Sequence, residues 1–231
     1  MPYSDRVNAR DEPLAPVHRT LSLRETVLER LRTAIITGRL AEGEVLSTPG
    51  LGASLGVSAT PVREAMMDLV REGLVETVKN KGFRVTTMSE TDLDDLAQIR
   101  LMLEPPAMRI VAGRIPEEDL PRLFELTDAC LAATTDDNLE EYLRFDREFH
   151  ALVLQYTGNA QLVELATSLR RRTRLYGIAT LSREGRLAGS AREHHELVEL
   201  LASGDGEGAE QVMHRHISHA RALWATAREE S

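Results

Sequence analysis

The side chains most able to do chemistry lie in the C-terminal half of the chain. Asp146 and His150 stand four residues apart in the run Tyr142-Leu143-Arg144-Phe145-Asp146-Arg147-Glu148-Phe149-His150. In a helix that spacing puts both on one face, one turn apart. The same face carries Tyr142, Leu143, Phe149 and Val153, so it points inward. A carboxylate and an imidazole on an apolar face need partners, because an unpaired buried charge is costly. A plain Asp–His hydrogen bond would meet that need for this pair alone.

Two more histidines widen the chemistry. His194 has Leu197, Val198 and Leu201 at the helical offsets, whereas its neighbour His195 meets a mixed edge of Val198, Glu199 and Ala202. His216 shares a stripe with Ala209, Val212, Ala220 and Leu223, while His214 and His219 adjoin Glu210, Ser218 and Arg215 and read as solvated. Asp146, His150, His194 and His216 therefore form an inward set from three helices. Such a set suits a divalent transition ion: zinc first, with nickel, manganese or iron(II) also compatible. Separate core histidines are the alternative, and neither HExxH nor zinc-finger spacing is present.

The elements that must position these residues follow from periodicity. From Glu90 onward there is no alternating strand pattern. Breaks at Gly113–Pro116, Thr134–Asn138, Gly158-Asn159, Arg183–Gly185 and Gly204–Gly208 separate about six helical stretches over residues 89–231. Residues 1–18 hold three prolines and little apolar content, which predicts a flexible tail. Residues 19–88 read as a small separate domain. Val27, Leu28, Leu31 and Ile35 mark a first helix, Pro49 to Leu55 a short second one, and Gly56-Val57 a turn. Ser58-Ala59-Thr60-Pro61 opens a third, where Ser58 or Thr60 could cap and proline needs no amide hydrogen. Its inward stripe is Val62, Ala65, Met66, Leu69 and Val70, and Gly73 ends it.

Two extended runs, Leu74 to Val78 and Phe83 to Thr87, flank Lys79-Asn80-Lys81-Gly82, a tight hairpin with a basic tip. Three helices followed by a basic hairpin have the layout of a winged helix-turn-helix; a small helical domain whose hairpin merely covers its core is the alternative, and the basic tip, flanked by Arg84, favours DNA. The expected fold class is thus mainly α: that N-terminal head plus a C-terminal all-helical bundle.

Composition agrees. The chain has 231 residues, 42% hydrophobic and 28% charged, which excludes disordered, membrane-spanning and fibrous classes. The single cysteine, Cys130, cannot form an internal disulfide, so a reducing, cytoplasmic setting is expected and no membrane partner. The formal charge of −9 is uneven, at +2 over residues 19–88 and −10 over 89–231. Only the head is suited to approach a polyanion.

At this point the residues resemble a known family. Arg39-Leu40-Ala41-Glu42-Gly43-Glu44-Val45-Leu46, Leu55-Gly56-Val57-Ser58-Ala59-Thr60-Pro61-Val62-Arg63-Glu64-Ala65 and Glu72-Gly73-Leu74-Val75 resemble the DNA-binding domain of GntR-type bacterial regulators. The resemblance implies operator contacts from Thr60 and Arg63 at the head of the third helix and from Gly82 at the wing; Ser58 and the basic-tip residues Lys79 and Lys81 join them as DNA-binding candidates. The sequence departs from the pattern at Ala59 and at Thr48-Pro49-Gly50, where the family usually carries arginine and a Glu-Arg-Glu run. Two arginines expected at DNA are absent, which predicts an operator outside the common consensus.

The C-terminal half is similar to the FCD effector-binding domain of the FadR-like branch. The likeness rests on Phe145-Asp146-Arg147-Glu148-Phe149-His150, Glu193-His194 with Leu197, Met213-His214-Arg215-His216-Ile217 and Arg100-Leu101-Met102-Leu103-Glu104-Pro105. About six helices resemble the VanR-type subgroup. The resemblance implies that Asp146, His150, His194 and His216 hold a metal, and that a small carboxylic acid binds there with an arginine to neutralise it. Arg100 is the candidate clamp, with an ion pair as its alternative role.

The implied function is a DNA-binding transcriptional regulator, as a repressor, acting as a homodimer on palindromic double-stranded operator DNA. Two other functions fit an Asp/His3 centre, a hydrolytic metalloenzyme and a sensor of the metal itself. Against the enzyme, no inward Glu or second Asp stands at a spacing useful for a general base.

Overall fold

The computed structural model describes residues 22–135, 138–174 and 187–229, with side chains to residue 221 apart from that of residue 174. The expected tail, the Arg183–Gly185 break and the Leu223 side chain lie outside the described residues.

Helix α1 (Leu23–Ile36) starts at a reciprocal cap, in which Ser22 and Glu25 each bond the other's backbone amide. The two-residue strand β1 (Val45–Leu46) follows, then α2 (Thr48–Leu55). Pro49 falls in the first turn of α2, where no amide donor is required, and Ser47 caps it. The Pro-Gly pair is therefore accommodated without breaking the helix.

Helix α3 (Ala59–Arg71) buries Val62, Ala65, Met66 and Leu69 completely and Val70 in part. Ser58 occupies its N-cap position but makes no side-chain capping bond, so its exposed hydroxyl is left to other partners. Gly73, at φ +74°, turns the chain into β2 (Val75–Val78). Asn80 at φ 62° and Gly82 at φ +118° close the hairpin to β3 (Gly82–Val85).

The sheet is antiparallel in the order β1-β3-β2, with Leu46 opposite Phe83 and Thr77 opposite Phe83 on its other side. Periodicity predicts only the hairpin. Strand β1 is an addition, because two residues carry no readable alternation and are fixed by pairing to β3. A Cβ on Gly82 would lie 2.3 Å from the Leu46 carbonyl oxygen, so the wing needs glycine there for β1 to approach.

The larger half contains six α-helices among the described residues. They are α4 (Glu90–Val111), α5 (Leu120–Thr135), α6 (Leu139–Gln155), α7 (Ala160–Arg174), α8 (Leu187–Ser203) and α9 (Gly206–Glu229). A 3-10 turn at Glu117–Asp119 leads into α5. Residues 175–186, which bear on the subgroup's helix count, are outside the described residues. Helix α4 runs unbroken through Pro105 and Pro106 and packs chiefly on α9, while α5 packs on α6 and α8.

The main core of the bundle joins Met108, Leu123, Phe149, Leu197 and Ile217, all essentially inaccessible. The head does not stand apart from it. Leu93 and Leu96 of α4 and Leu169 of α7 enter the head's core, and Ile36 of α1 packs with Cys130, Tyr142 and Leu187.

Candidate metal centre and nucleic-acid interface

Four buried side chains meet at the middle of the bundle. Asp146 is 0% exposed, His150 and His194 1% and His216 6%, and one ligand atom from each lies within 4.8 Å of all the others. Helix α6 brings Asp146 and His150 one turn apart, α8 brings His194, and α9 brings His216.

The Nε2 atoms of His150 and His194 are 3.0 Å apart, and they stand 3.7 and 3.5 Å from Asp146 Oδ1. Around a single cation with bonds of about 2.0–2.1 Å, donor atoms are separated by about 2.9–3.4 Å, depending on octahedral or tetrahedral geometry. The observed triangle is close to that spacing. Phe149 packs against both imidazoles, with ring centroids 5.0 and 4.8 Å away.

The residues behind the centre fix its orientation. His216 Nδ1 is 3.0 Å from Glu193 Oε2, which leaves its Nε2 as the other ring nitrogen available to the cluster. Burial, the strongest influence, lowers the His216 pKa and favours the neutral ring that a metal ligand requires. Burial works against ionisation of Glu193 as well, yet hydrogen bonds from His216, Arg215 and His219 hold its carboxyl down at about 2.

Arg170 reaches Asp146 Oδ2 at 3.5 Å and donates to Glu104 Oε2 at 2.7 Å. Arg100 donates from Nε to Glu104 Oε1 at 2.6 Å and from Nη1 to the Thr173 hydroxyl at 3.3 Å. A continuous buried relay, Arg100–Glu104–Arg170–Asp146, therefore backs the cluster.

Sequence spacing separates inward from outward histidines correctly: His195 and His219 are 47% and 61% exposed, and His214 is exposed too. It misses three participants. Glu193 adjoins His194 in sequence but acts on His216 across the bundle. Arg170 sits in a run of arginines, most of which read as facing solvent or a partner, and spacing alone does not pick out the one that lines the pocket.

Glu104 is an inward glutamate and is fully buried. It is no general base. Burial raises its pKa, but Arg100 and Arg170 together hold it below the ordinary carboxylate value. Arg100 itself is committed to Glu104 and Thr173 and does not line the cavity beside Asp146 and His150, whereas Arg170 lines it and reaches Asp146.

A second cluster of candidate residues lies on the head. Arg63 and Met67 of α3, Thr48 and Pro49 of α2, and the wing from Lys79 to Gly82 line one open cleft. Ser58 and Thr60 lie outside that cleft but are exposed at the start of α3, as is Arg63 on its outer face. The wing lysines are exposed at the hairpin tip. Cationic side chains and an exposed helix N-terminus at one end of the head are the elements by which such heads hold phosphates and read base edges. No described helix is long and apolar enough to cross a membrane.

Comparison with known proteins agrees with this two-part reading. Residues 23–85 match the gntR family of bacterial regulatory proteins and residues 95–219 match the FCD domain. The chain is 30% identical over 201 residues to a probable D-xylose utilization operon transcriptional repressor of Paenarthrobacter nicotinovorans, covering 84% of this chain and 87% of the relative. Its fold is similar to that of McbR/YncC of Escherichia coli, with a TM-score of 0.78 and 25% identity, covering 90% of this chain and all of that one. It is also similar to the metal-free FCD domain of TM0439, with a TM-score of 0.51 and 25% identity, over 63% of this chain and 99% of that domain. These relatives are regulators of transcription, which sets the metalloenzyme reading aside. The chain belongs to the GntR family of bacterial transcriptional regulators, with an FCD domain as its larger half.

Proposed function

We propose that this regulator is a homodimeric repressor whose affinity for a palindromic operator is set by a small organic acid bound at a metal centre in the bundle. The observation that carries the reading is the convergence of Asp146, His150, His194 and His216, four buried donors within 4.8 Å of one another. The group fits a divalent transition ion, zinc foremost. Three imidazoles and one carboxylate match its ligand preferences, and the spacing of Asp146, His150 and His194 is close to that its bond lengths give. A bound ion would offer open coordination positions to a carboxylate oxygen.

The chain's own residues supply the rest. Arg170 stands beside Asp146 to meet the acid's charge, and Arg100 holds Arg170 in place through Glu104. Glu193 holds the His216 ring through Nδ1.

On the head, Ser58, Thr60 and Arg63 would face the operator, with Lys79, Lys81 and Gly82 along the phosphates. Dimerisation is supported by an apolar stripe on the outer face of α4: Ile99, Met102 and Ile110 are 41%, 64% and 44% exposed at helical spacing. Two-fold symmetry of the protein would then match a palindromic site. An acid shifts operator affinity only by its differential affinity for two arrangements of the bundle.

Elemental analysis of purified protein, followed by gel-shift titration with and without added carboxylic acids, tests this. One equivalent of transition metal per chain and operator release by an acid are expected. Metal-free native protein whose operator binding ignores both metal and acids would refute the proposal. Release that tracks metal at fixed acid would instead make the metal the signal.

A further inference from the structure

The cavity beside Asp146 and His150 is not confined to the helical half. It has a volume of about 360 Å³ and is walled by α6, α7 and α1, so the DNA-binding head forms one side of it. Its lining holds five arginines against three acids; four of those arginines and two of the acids come from the half of the chain whose net charge is −10. Cationic surplus inside an acidic body marks a place for an anion larger than one carboxylate.

The arginines are not equivalent. Arg170 is engaged by Glu104 and Asp146, Arg144 by Glu141, and Arg147 by Glu29 at 3.1 Å. Arg32 grips Glu72 through two hydrogen bonds, from Nε at 2.9 Å and Nη2 at 2.5 Å, so both oxygens of that carboxylate already accept. Arg171 is left 3.6 Å from Glu72, and its buried Nε has no hydrogen-bond acceptor among the described residues. Burial, with Arg32 and Arg147 close by, lowers its pKa in spite of Glu72, the signature of a crowded cation without a full counter-charge.

We propose that Arg171, with the Glu29-paired Arg147 beside it, forms a second anion site at the head-facing end of this cavity, so that the effector is a dianionic acid with one carboxylate toward Asp146 and His150 and the other on Arg171. This rests on the metal-bound-acid reading and extends it to ligand class. It also supplies a route to the head. Glu72 is the C-terminal cap of α3, the helix expected in the major groove, and Arg32 ties it to α1. A carboxylate on Arg171 draws that guanidinium away from Glu72, at the point where the head meets the bundle.

Calorimetry on the zinc-loaded full-length protein tests the proposal, with malonate, succinate, glutarate and adipate as probes against monocarboxylates of matched carbon number. The best dicarboxylate is expected to bind about ten-fold more tightly than its monocarboxylate, the scale of one charge-assisted hydrogen-bonded pair. In Arg171→Gln that ratio falls toward one, and in Arg171→Lys it is partly retained, which separates lost charge from misfolding.

Equal affinity of the two classes for the native protein overturns the second site and leaves the metal-centre reading standing. Dicarboxylate binding that survives chelation with its Arg171 dependence intact supports the second site and refutes the metal's part. No binding of either class to the zinc-loaded protein overturns both.

Discussion

The proposed metal centre makes a quantitative demand on stability. An ion that binds the folded chain and not the unfolded one stabilises it by about 4.1 kcal/mol when present at about a thousand times its dissociation constant. For a chain of this size, each kcal/mol moves the melting temperature by about 2–4 °C, so chelation should lower it by about 8–16 °C.

The geometry tells a ligand from a core histidine. His194 is 1% exposed and packs on Phe149, so His194→Ala removes apolar contact and destabilises the fold whether or not metal is present. If its Nε2, 3.0 Å from that of His150, is also a metal donor, the variant must lose the metal-dependent increment as well. Differential scanning calorimetry of native protein and His194→Ala, each with zinc and with chelator, forms a double-mutant cycle. The expected result is a large zinc increment in the native protein and almost none in the variant. Equal increments in the two proteins, or no increment in either, would refute the assignment of these donors to one cation.

Other consequences follow from named contacts. Glu104→Gln removes the only carboxylate between Arg100 and Arg170 in the relay described above; urea unfolding should show a loss of about 3–5 kcal/mol, as for one partner removed from a buried ion pair. A loss under about 1 kcal/mol would mean that the relay is not structural. On the head, Arg63→Ala should cost about 1–3 kcal/mol in a base-dependent way. Lys79→Ala or Lys81→Ala should weaken binding to all sequences alike and lower the salt slope by about one each. Fluorescence anisotropy over a salt series distinguishes the two behaviours.

Tyr156 should ionise late. Burial first, then its hydrogen bond to Asp119, push it up to about 12. Its neutral form therefore contributes stability that is complete below about pH 10, the unfolded value, and is lost as pH rises from there toward 12. Ultraviolet titration of native protein against Tyr156→Phe should place the missing phenolate in that window; ionisation near pH 10 would contradict it.

The departures from the family pattern bear on the same head. Thr48 and Pro49 line the cleft beside Arg63, and Pro49 stands where the family resemblance leads one to expect an arginine, so that cleft should offer fewer donors to base edges. Selection from random duplexes should return an operator outside the common consensus; the ordinary consensus at normal affinity would count against this.

Much of this protein is written in its periodicity. The offsets of Leu197, Val198 and Leu201 are enough to turn His194 inward and His195 outward, because a helix of fixed pitch assigns each position to a face before any partner is known. The same rule places Asp146 with His150 on α6 and sorts Arg63 to the exterior of α3. Turn chemistry at Lys79-Asn80-Lys81-Gly82 likewise sets the wing locally.

Tertiary packing decides what those faces meet. Asp146 and His216 are far apart in sequence, and no local rule fixes a 4.8 Å limit between donors on separate helices. Glu104, one turn after Arg100, resembles a surface ion pair until α7 brings Arg170 over it and removes the water from both. Strand β1 exists only because β3 lies alongside it, and the head-facing wall of the cavity only because α1 docks on α6 and α7. Local geometry follows from the chain's own bonds and sterics. Distances between elements, and with them the charge state and partner of each buried group, are set when those elements pack.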